Sequence, residues 1–204
     1  MALKKYLREW RSTLLIFLTT LALSHTVAGG CVIPSGSMQP TLDPGDVVAV
    51  NRLAYGLTIP VLTKQVFHWA DPQRGDVIIF NVPKIADPAE TLYIKRVVAL
   101  AGDTIEVRNN RVILNGKPVP VEKTALGGVE LVGRSHRLME GPGQLDNMPA
   151  YVVPANHVFV MGDHRNNSAD SRAWGPLPVE RVRGKALAVA ISFDIDHWKV
   201  GARL

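Results

Sequence analysis

Cysteine occurs once in the 204 residues, as Cys31, so no intrachain disulfide and no multi-cysteine zinc site can form. His-Glu-x-x-His does not occur, and the six histidines fall in no metal-ligand spacing; neither a metal nor a cofactor is expected. Gly-x-Ser-x-Gly is missing too, which leaves an α/β-hydrolase nucleophile elbow without support. No internal repeat stands out. The net charge of +5 and pI near 9.5 would also suit nucleic acid. However, Lys and Arg are scattered and no aromatic-basic signature accompanies them, so no nucleic-acid partner is expected. Attraction to anionic lipid headgroups explains the charge at least as well.

The longest absence is of charge: from Ser12 to Leu42 there is no Lys, Arg, Asp or Glu. Within that interval Thr13 to Ile33 is long enough for a spanning helix, which needs roughly 20 mostly apolar residues. Lys4, Lys5, Arg8 and Arg11 precede it, so the positive-inside bias predicts a cytoplasmic N-terminus and an external remainder. The expected organisation is a basic N-terminus at 1–11, a membrane anchor at 12–33 and an extracytoplasmic domain at 34–204. A hydrophobic content of 47% fits a globular core plus one such segment, where a polytopic protein would be far more apolar. Two other readings compete. Leu14 to Leu23 can be the core of a cleaved signal peptide, and Ala28-Gly29-Gly30-Cys31 loosely matches a lipoprotein processing site, with lipid on Cys31.

Beyond residue 34 the pattern turns to short β-branched runs, punctuated by Asp, Gly and Pro. Val47 to Val50, Val77 to Phe80, Tyr93 to Leu100, Thr104 to Val107, Val158 to Met161 and Ala186 to Ser192 read as strands. Asn115-Gly116 suits a two-residue hairpin turn with positive φ. No later segment makes a convincing long amphipathic helix. The expected class is mainly β, with many short antiparallel strands in a sandwich or barrel-like catalytic domain behind one N-terminal transmembrane helix. Residues 121–150, rich in Gly, Pro and polar side chains without clear periodicity, read as an irregular, mobile excursion. Tyr55 to Trp69 is apolar for a connection. It suits either the core or a patch dipping into the bilayer interface, where aromatic side chains favour the headgroup level.

Just past the apolar run stands Pro34-Ser35-Gly36-Ser37-Met38-Gln39-Pro40-Thr41, with two serines one residue apart. Ser-Gly-Ser alone is a common loop composition. In Thr91 to Val98, strand alternation puts Tyr93, Lys95 and Val97 on one face and Arg96 on the other. A lysine among apolar neighbours is costly to keep charged. Bringing its pKa from about 10.4 to roughly 8 takes about 3 kcal/mol of differential stabilisation, which burial can supply. A neutral amine can then take the proton from a serine hydroxyl, as histidine does in Ser-His-Asp sites. Asp163-His164 offers a rival, in which Ser37, His164 and an Asp form a triad.

Three ordered boxes bear on the choice: Pro34-Ser35-Gly36-Ser37-Met38-x-Pro40-Thr41-Leu42, Tyr93-Ile94-Lys95-Arg96-Val97-Val98-Ala99-Leu100-x-Gly102-Asp103, and Gly162-Asp163-His164-Arg165-Asn166-Asn167-Ser168-Ala169-Asp170-Ser171-Arg172. Together they resemble the signature boxes of type I signal peptidases, the membrane-anchored Ser-Lys endopeptidases. The similarity runs from the anchor to about Lys185 and is least characteristic over 121–150. The resemblance implies that Ser37 is the nucleophile and Lys95 the general base. It implies that Ser35, through its hydroxyl, and Ser37, through its N–H, stabilise the oxyanion. Ser168 would orient Lys95, Asp170 and Arg172 would form an ion pair behind the site, and Asp163 and Arg165 would support the turn carrying Ser168. Main chain at Ile33 to Ser35 and Tyr93 to Lys95, with Pro34, Met38 and Ile94 nearby, would pair with an extended substrate whose alanine-like side chains enter small pockets. The sequence departs from the pattern at Ala101, where proline is usual, and at His164 and Asn166, in place of Asn and Asp.

The implied activity is removal of signal peptides from exported preproteins at the outer side of a bacterial cytoplasmic membrane. The partners would be preproteins, the phospholipid bilayer and the translocation machinery. Two alternatives are a specialised relative that processes one dedicated partner, such as a pilin or conjugation subunit, and an inactive tethered β-domain that binds extended peptides.

Overall fold

The computed structural model describes residues 10–16, 28–59, 64–89, 91–124, 127–141, 145–193 and 199–204. Residues 10–16 are helical (α1). Among the described residues no helix is long and apolar enough to cross a membrane. Most of the expected anchor, 17–27, and the basic residues before position 10 lie outside the described residues. The far end of the anchor does not, and its boundary at residue 33 is corrected: Ala28–Val32 is a strand (β1). A short apolar segment satisfies helix and strand patterns alike, and Gly29-Gly30 weakens the helical choice.

The other elements are β2 (Val47–Asn51), β3 (Gly56–Ile59), β4 (Lys64–His68), β5 (Val77–Asn81), β6 (Leu92–Leu100), β7 (Thr104–Arg108), β8 (Arg111–Leu114), β9 (Lys117–Pro118), β10 (Val121–Thr124), β11 (Gly127–Val132), β12 (Arg134–Leu138), β13 (Met148–Val152), β14 (His157–Met161), α2 (Ser171–Trp174), β15 (Leu177–Pro178) and β16 (Val182–Ile191). The protein is mainly β, and the strands pair antiparallel. The main sheet has seven strands in the order β1-β2-β16-β5-β6-β14-β15, accompanied by sheets β13-β7-β8-β9, β10-β11-β12 and β3-β4. Val77 to Phe80 is buried on both faces, which is why β5 reads as a continuous apolar run rather than an alternation. The turn expected at Asn115-Gly116 forms, with φ of 52° and 76° and Leu114 opposite Lys117.

Residues 121–150 differ from the expectation. They carry the three-stranded sheet β10-β11-β12 and the start of β13, which pairs with β7, in place of an irregular excursion. The pattern was hidden because polar residues face inward: Glu130 and His136 sit opposite each other across β11 and β12, and both are buried. This sheet docks by backbone. A Cβ on Gly133, at φ 67°, would lie 2.0 Å from the Arg74 carbonyl oxygen, and one on Gly75, at φ 87°, would lie 2.6 Å from that of Val132. Only glycine allows both the positive φ and that approach.

One feature of the main sheet positions the site. β14 pairs with β6 only from Arg96 to Leu100, whereas β5 pairs with it from Leu92 to Arg96. Among the described residues, Leu92 to Lys95 therefore has a strand on one side only. The turn Gly36–Met38 packs against β6.

Candidate active site

Burial of Met38 and Leu42 beside Ile33 and Ile94 in the core fixes the turn that carries Ser37. The hydroxyl of Ser37 is thereby held over β6, where Lys95 Nζ lies 2.7 Å from Ser37 Oγ. The same amine donates to the Ile94 carbonyl at 3.0 Å and stands 5.3 Å from the centre of the Tyr93 ring, so Tyr93 and Lys95 share the face expected of them. Lys95 is only 3% exposed. Burial is the largest influence on it and drives its pKa from 10.5 down to about 8, while the carboxylates of Asp170 and Asp163 pull the other way. Desolvation disfavours the ammonium, so about half of the group is an uncharged amine at about pH 8, against almost none for an exposed lysine. Ser35, exposed at the rim, places its Oγ 3.3 Å from Ser37 Oγ.

Charged pairs surround this contact. Arg96 grips Asp163 through hydrogen bonds of 2.9 and 2.7 Å and reaches the Gly75 carbonyl at 2.9 Å. Thr41, four residues past the nucleophile candidate, donates to Asp163 at 2.5 Å. Burial pushes the Asp163 carboxyl up, but Arg96, His136 and Thr41 outweigh it and hold the group below the usual range. Arg165 pairs with Glu130 of β11, and the Glu130 carboxyl is likewise raised by burial and lowered further by Arg165 and His136. The third pair is the expected Asp170–Arg172 bridge, at 2.8 and 2.9 Å. It is buried rather than solvent-exposed: Asp170 caps α2 and accepts from the Gly162 amide at 3.0 Å, and Arg172 donates to the Arg165 carbonyl at 2.7 Å. Asp163 and Arg165 thus each take a partner from another element, Arg96 and Glu130.

Several expectations change. Ser168 makes no hydrogen bond to Lys95; its hydroxyl is buried without a partner among the described residues and lies close to Gly162, where a Cβ would sit 2.4 Å from it. Ile33 and Met38 do not face a peptide. Both side chains are in the core, and the amide and carbonyl of Ile33 already bond to Asp46 and Gly45. Pro34 is exposed, while Ile94 is buried and contributes its carbonyl to Lys95. The triad alternative also fails: His164 turns its Nδ1 to the Gly36 carbonyl at 3.1 Å, and Lys95 and Ser35 occupy the surroundings of Ser37 Oγ.

Sequence reasoning missed Arg96, Glu130, His136 and Thr41. A signal for Arg96 existed, because an arginine inside a nine-residue apolar strand must find a counter-charge if it is buried. His136 is buried, with Nε2 3.5 Å from Glu130 and 3.7 Å from Asp163. Chemically, the arrangement offers a serine hydroxyl beside a desolvated amine, at the rim of a sheet edge open to an extended chain.

Against known proteins, the model of the family "Signal peptidase, peptidase S26" matches residues 7–191. A signal peptidase I of Pseudomonas fluorescens is 41% identical over 184 residues, covering 79% of this chain and 64% of that protein. One from Pseudomonas aeruginosa is 40% identical with the same coverage. The chain thus spans just under two thirds of the length of these relatives. A solved signal peptidase I of Enterococcus faecalis is 25% identical, with a TM-score of 0.39, covering 57% of this chain and 97% of that one.

Proposed function

This chain belongs to the signal peptidase family, peptidase S26, and on that premise we propose that it is a serine endopeptidase that cleaves signal peptides from exported preproteins through a Ser37–Lys95 dyad. The observation that carries the reading is the 2.7 Å contact between Ser37 Oγ and an amine whose burial brings its pKa to about 8. Neutral Lys95 accepts the Ser37 proton as Oγ attacks the scissile carbonyl. The oxyanion forms against the Ser37 N–H and the Ser35 hydroxyl, donors of a kind worth about 3 kcal/mol in the transition state. The C–N bond then breaks, and the Lys95 ammonium gives its proton to the departing amine, which becomes the new N-terminus. Lys95, neutral again, next takes a proton from water as that water attacks the acyl ester, and returns it to Ser37 Oγ as the ester C–O bond breaks.

Substrate would add as a strand along Leu92 to Lys95, whose second side has no strand among the described residues. Main-chain bonds supply affinity, and alternate side chains enter pockets. Because Ile33 is already bonded on its inner side, Val32 and Ser35 are the residues left on the opposite wall. The protein is anchored once in the bacterial cytoplasmic membrane through its N-terminal apolar run, with its N-terminus inside and the peptidase domain outside, beside the translocation machinery. Phe67 and Trp69, 62% and 55% exposed at β4, support contact with the lipid headgroups. The test is incubation of purified protein with a signal-peptide-bearing preprotein and sequencing of the new N-terminus. Cleavage after an alanine-like residue, lost in Ser37→Ala and Lys95→Ala, is expected. Undiminished cleavage in either variant overturns the dyad.

A further inference from the structure

His164 touches the nucleophile turn twice. Its ring Nδ1 lies 3.1 Å from the Gly36 carbonyl oxygen, and its main-chain N–H donates to the Ser37 carbonyl at 3.1 Å. A carbonyl oxygen only accepts, so Nδ1 carries the proton in this contact. The Gly36 oxygen takes a second bond, from the Gln39 amide at 3.1 Å. A Cβ on Gly36 would come within 2.6 Å of Gln39 Oε1, so the turn closes around a residue that leaves room for it.

A trans peptide is planar, and its C=O and N–H point in opposite directions. The Gly36 carbonyl and the Ser37 N–H belong to one such plane. Whatever draws the Gly36 oxygen inward aims the Ser37 N–H outward. We propose that His164 is a positioning residue that fixes the Gly36–Ser37 peptide plane, and so aims the Ser37 N–H at the developing oxyanion. It replaces no member of the Ser37–Lys95 pair and touches no substrate. The proposal rests on the peptidase reading above. A bond to the carbonyl end of an amide also polarises its N–H, strengthening the donor at the other end of the same unit.

The experiment compares wild type, His164→Ala, His164→Asn and His164→Phe in preprotein cleavage. Binding of a signal-peptide aldehyde, which forms a tetrahedral adduct with Ser37, is measured beside binding of the cleaved product peptide. In His164→Ala and His164→Phe, kcat is expected to fall roughly 10- to 100-fold with KM changed less than about twofold. Aldehyde affinity should fall in parallel, while product affinity and thermal midpoint stay near wild type. Asparagine keeps a short donor and should restore most of kcat. The proposal is overturned if His164→Ala keeps full kcat, if kcat and product affinity fall together, or if His164→Asn is no better than His164→Phe. Should the Ala and Phe variants fail to fold, a folded His164→Asn with aldehyde affinity lost by more than about tenfold also overturns it. Absence of cleavage and of aldehyde adduct in wild type would remove the peptidase reading itself, and this inference with it. Full wild-type cleavage with indifferent variants removes the inference alone.

Discussion

Arg96 and Asp163, 67 residues apart in the chain, meet inside the protein through two hydrogen bonds of 2.9 and 2.7 Å. The pair ties β6, one residue past Lys95, to the Gly162–Arg172 turn, and through Thr41 it reaches the segment after Ser37. Three segments that carry the site are thus joined by one buried salt bridge. Arg96→Met leaves Asp163 as an uncompensated buried charge and is expected to cost about 3–5 kcal/mol. Combining Arg96→Met with Asp163→Leu should recover most of that loss in chemical denaturation. A single variant as stable as wild type would show that the bridge does not hold these segments.

The pH dependence of cleavage follows from the depressed pKa of Lys95. Activity requires the neutral amine, so kcat/KM should rise through about pH 8 and level off above it. Asp170 and Asp163 raise that value, so Asp163→Asn, where it folds, should shift the rise toward acid. A limb near pH 6.5 would point to histidine instead.

Stability should change with pH in the opposite sense to that of an ordinary salt-bridged lysine. The folded pKa of Lys95 lies below its unfolded value of 10.5. Below about pH 8 both states carry the proton, and the fold bears the full cost of a buried ammonium. Between about 8 and 10.5 the unfolded state binds more protons, so stability rises with pH. Lys95→Met should therefore stabilise the protein by up to about 3 kcal/mol near pH 7, with the gain fading between about pH 8 and 10.5. Equal stability of wild type and variant from pH 6 to 10 would mean that the amine is not desolvated.

Phe67 and Trp69 are expected to enter the headgroup layer. In the full chain reconstituted in vesicles, brominated lipid should quench tryptophan fluorescence, and Trp69→Phe should remove part of that quenching. Phe67→Ser should reduce the quenching of Trp69. Unchanged quenching in Trp69→Phe would place this hairpin away from the bilayer.

What the residue pattern discloses depends on which way polar side chains face. The β class, the hairpin at Asn115-Gly116 and the shared face of Tyr93 and Lys95 follow from local rules, and Ser37 and Lys95 stand in ordered boxes. Glu130 and His136 defeat the same rules. Alternation assumes apolar residues inside, and here the inward positions of β11 and β12 hold a carboxylate matched to Arg165 and an imidazole beside it. Arg96 shows the same limit: its face was legible, but its partner lies too far along the chain for spacing to reveal. The strand at Ala28–Val32 was masked by continuity of composition with the apolar run before it.

The central claim is that an uncharged amine stands ready beside the Ser37 hydroxyl, and direct titration of Lys95 tests it most closely. The Cε and Nζ resonances of isotope-labelled protein, assigned by their loss in Lys95→Met, would be followed from about pH 6 to 11. The account predicts a midpoint near 8. A midpoint near 10.5, that of a solvent-exposed lysine, would contradict it.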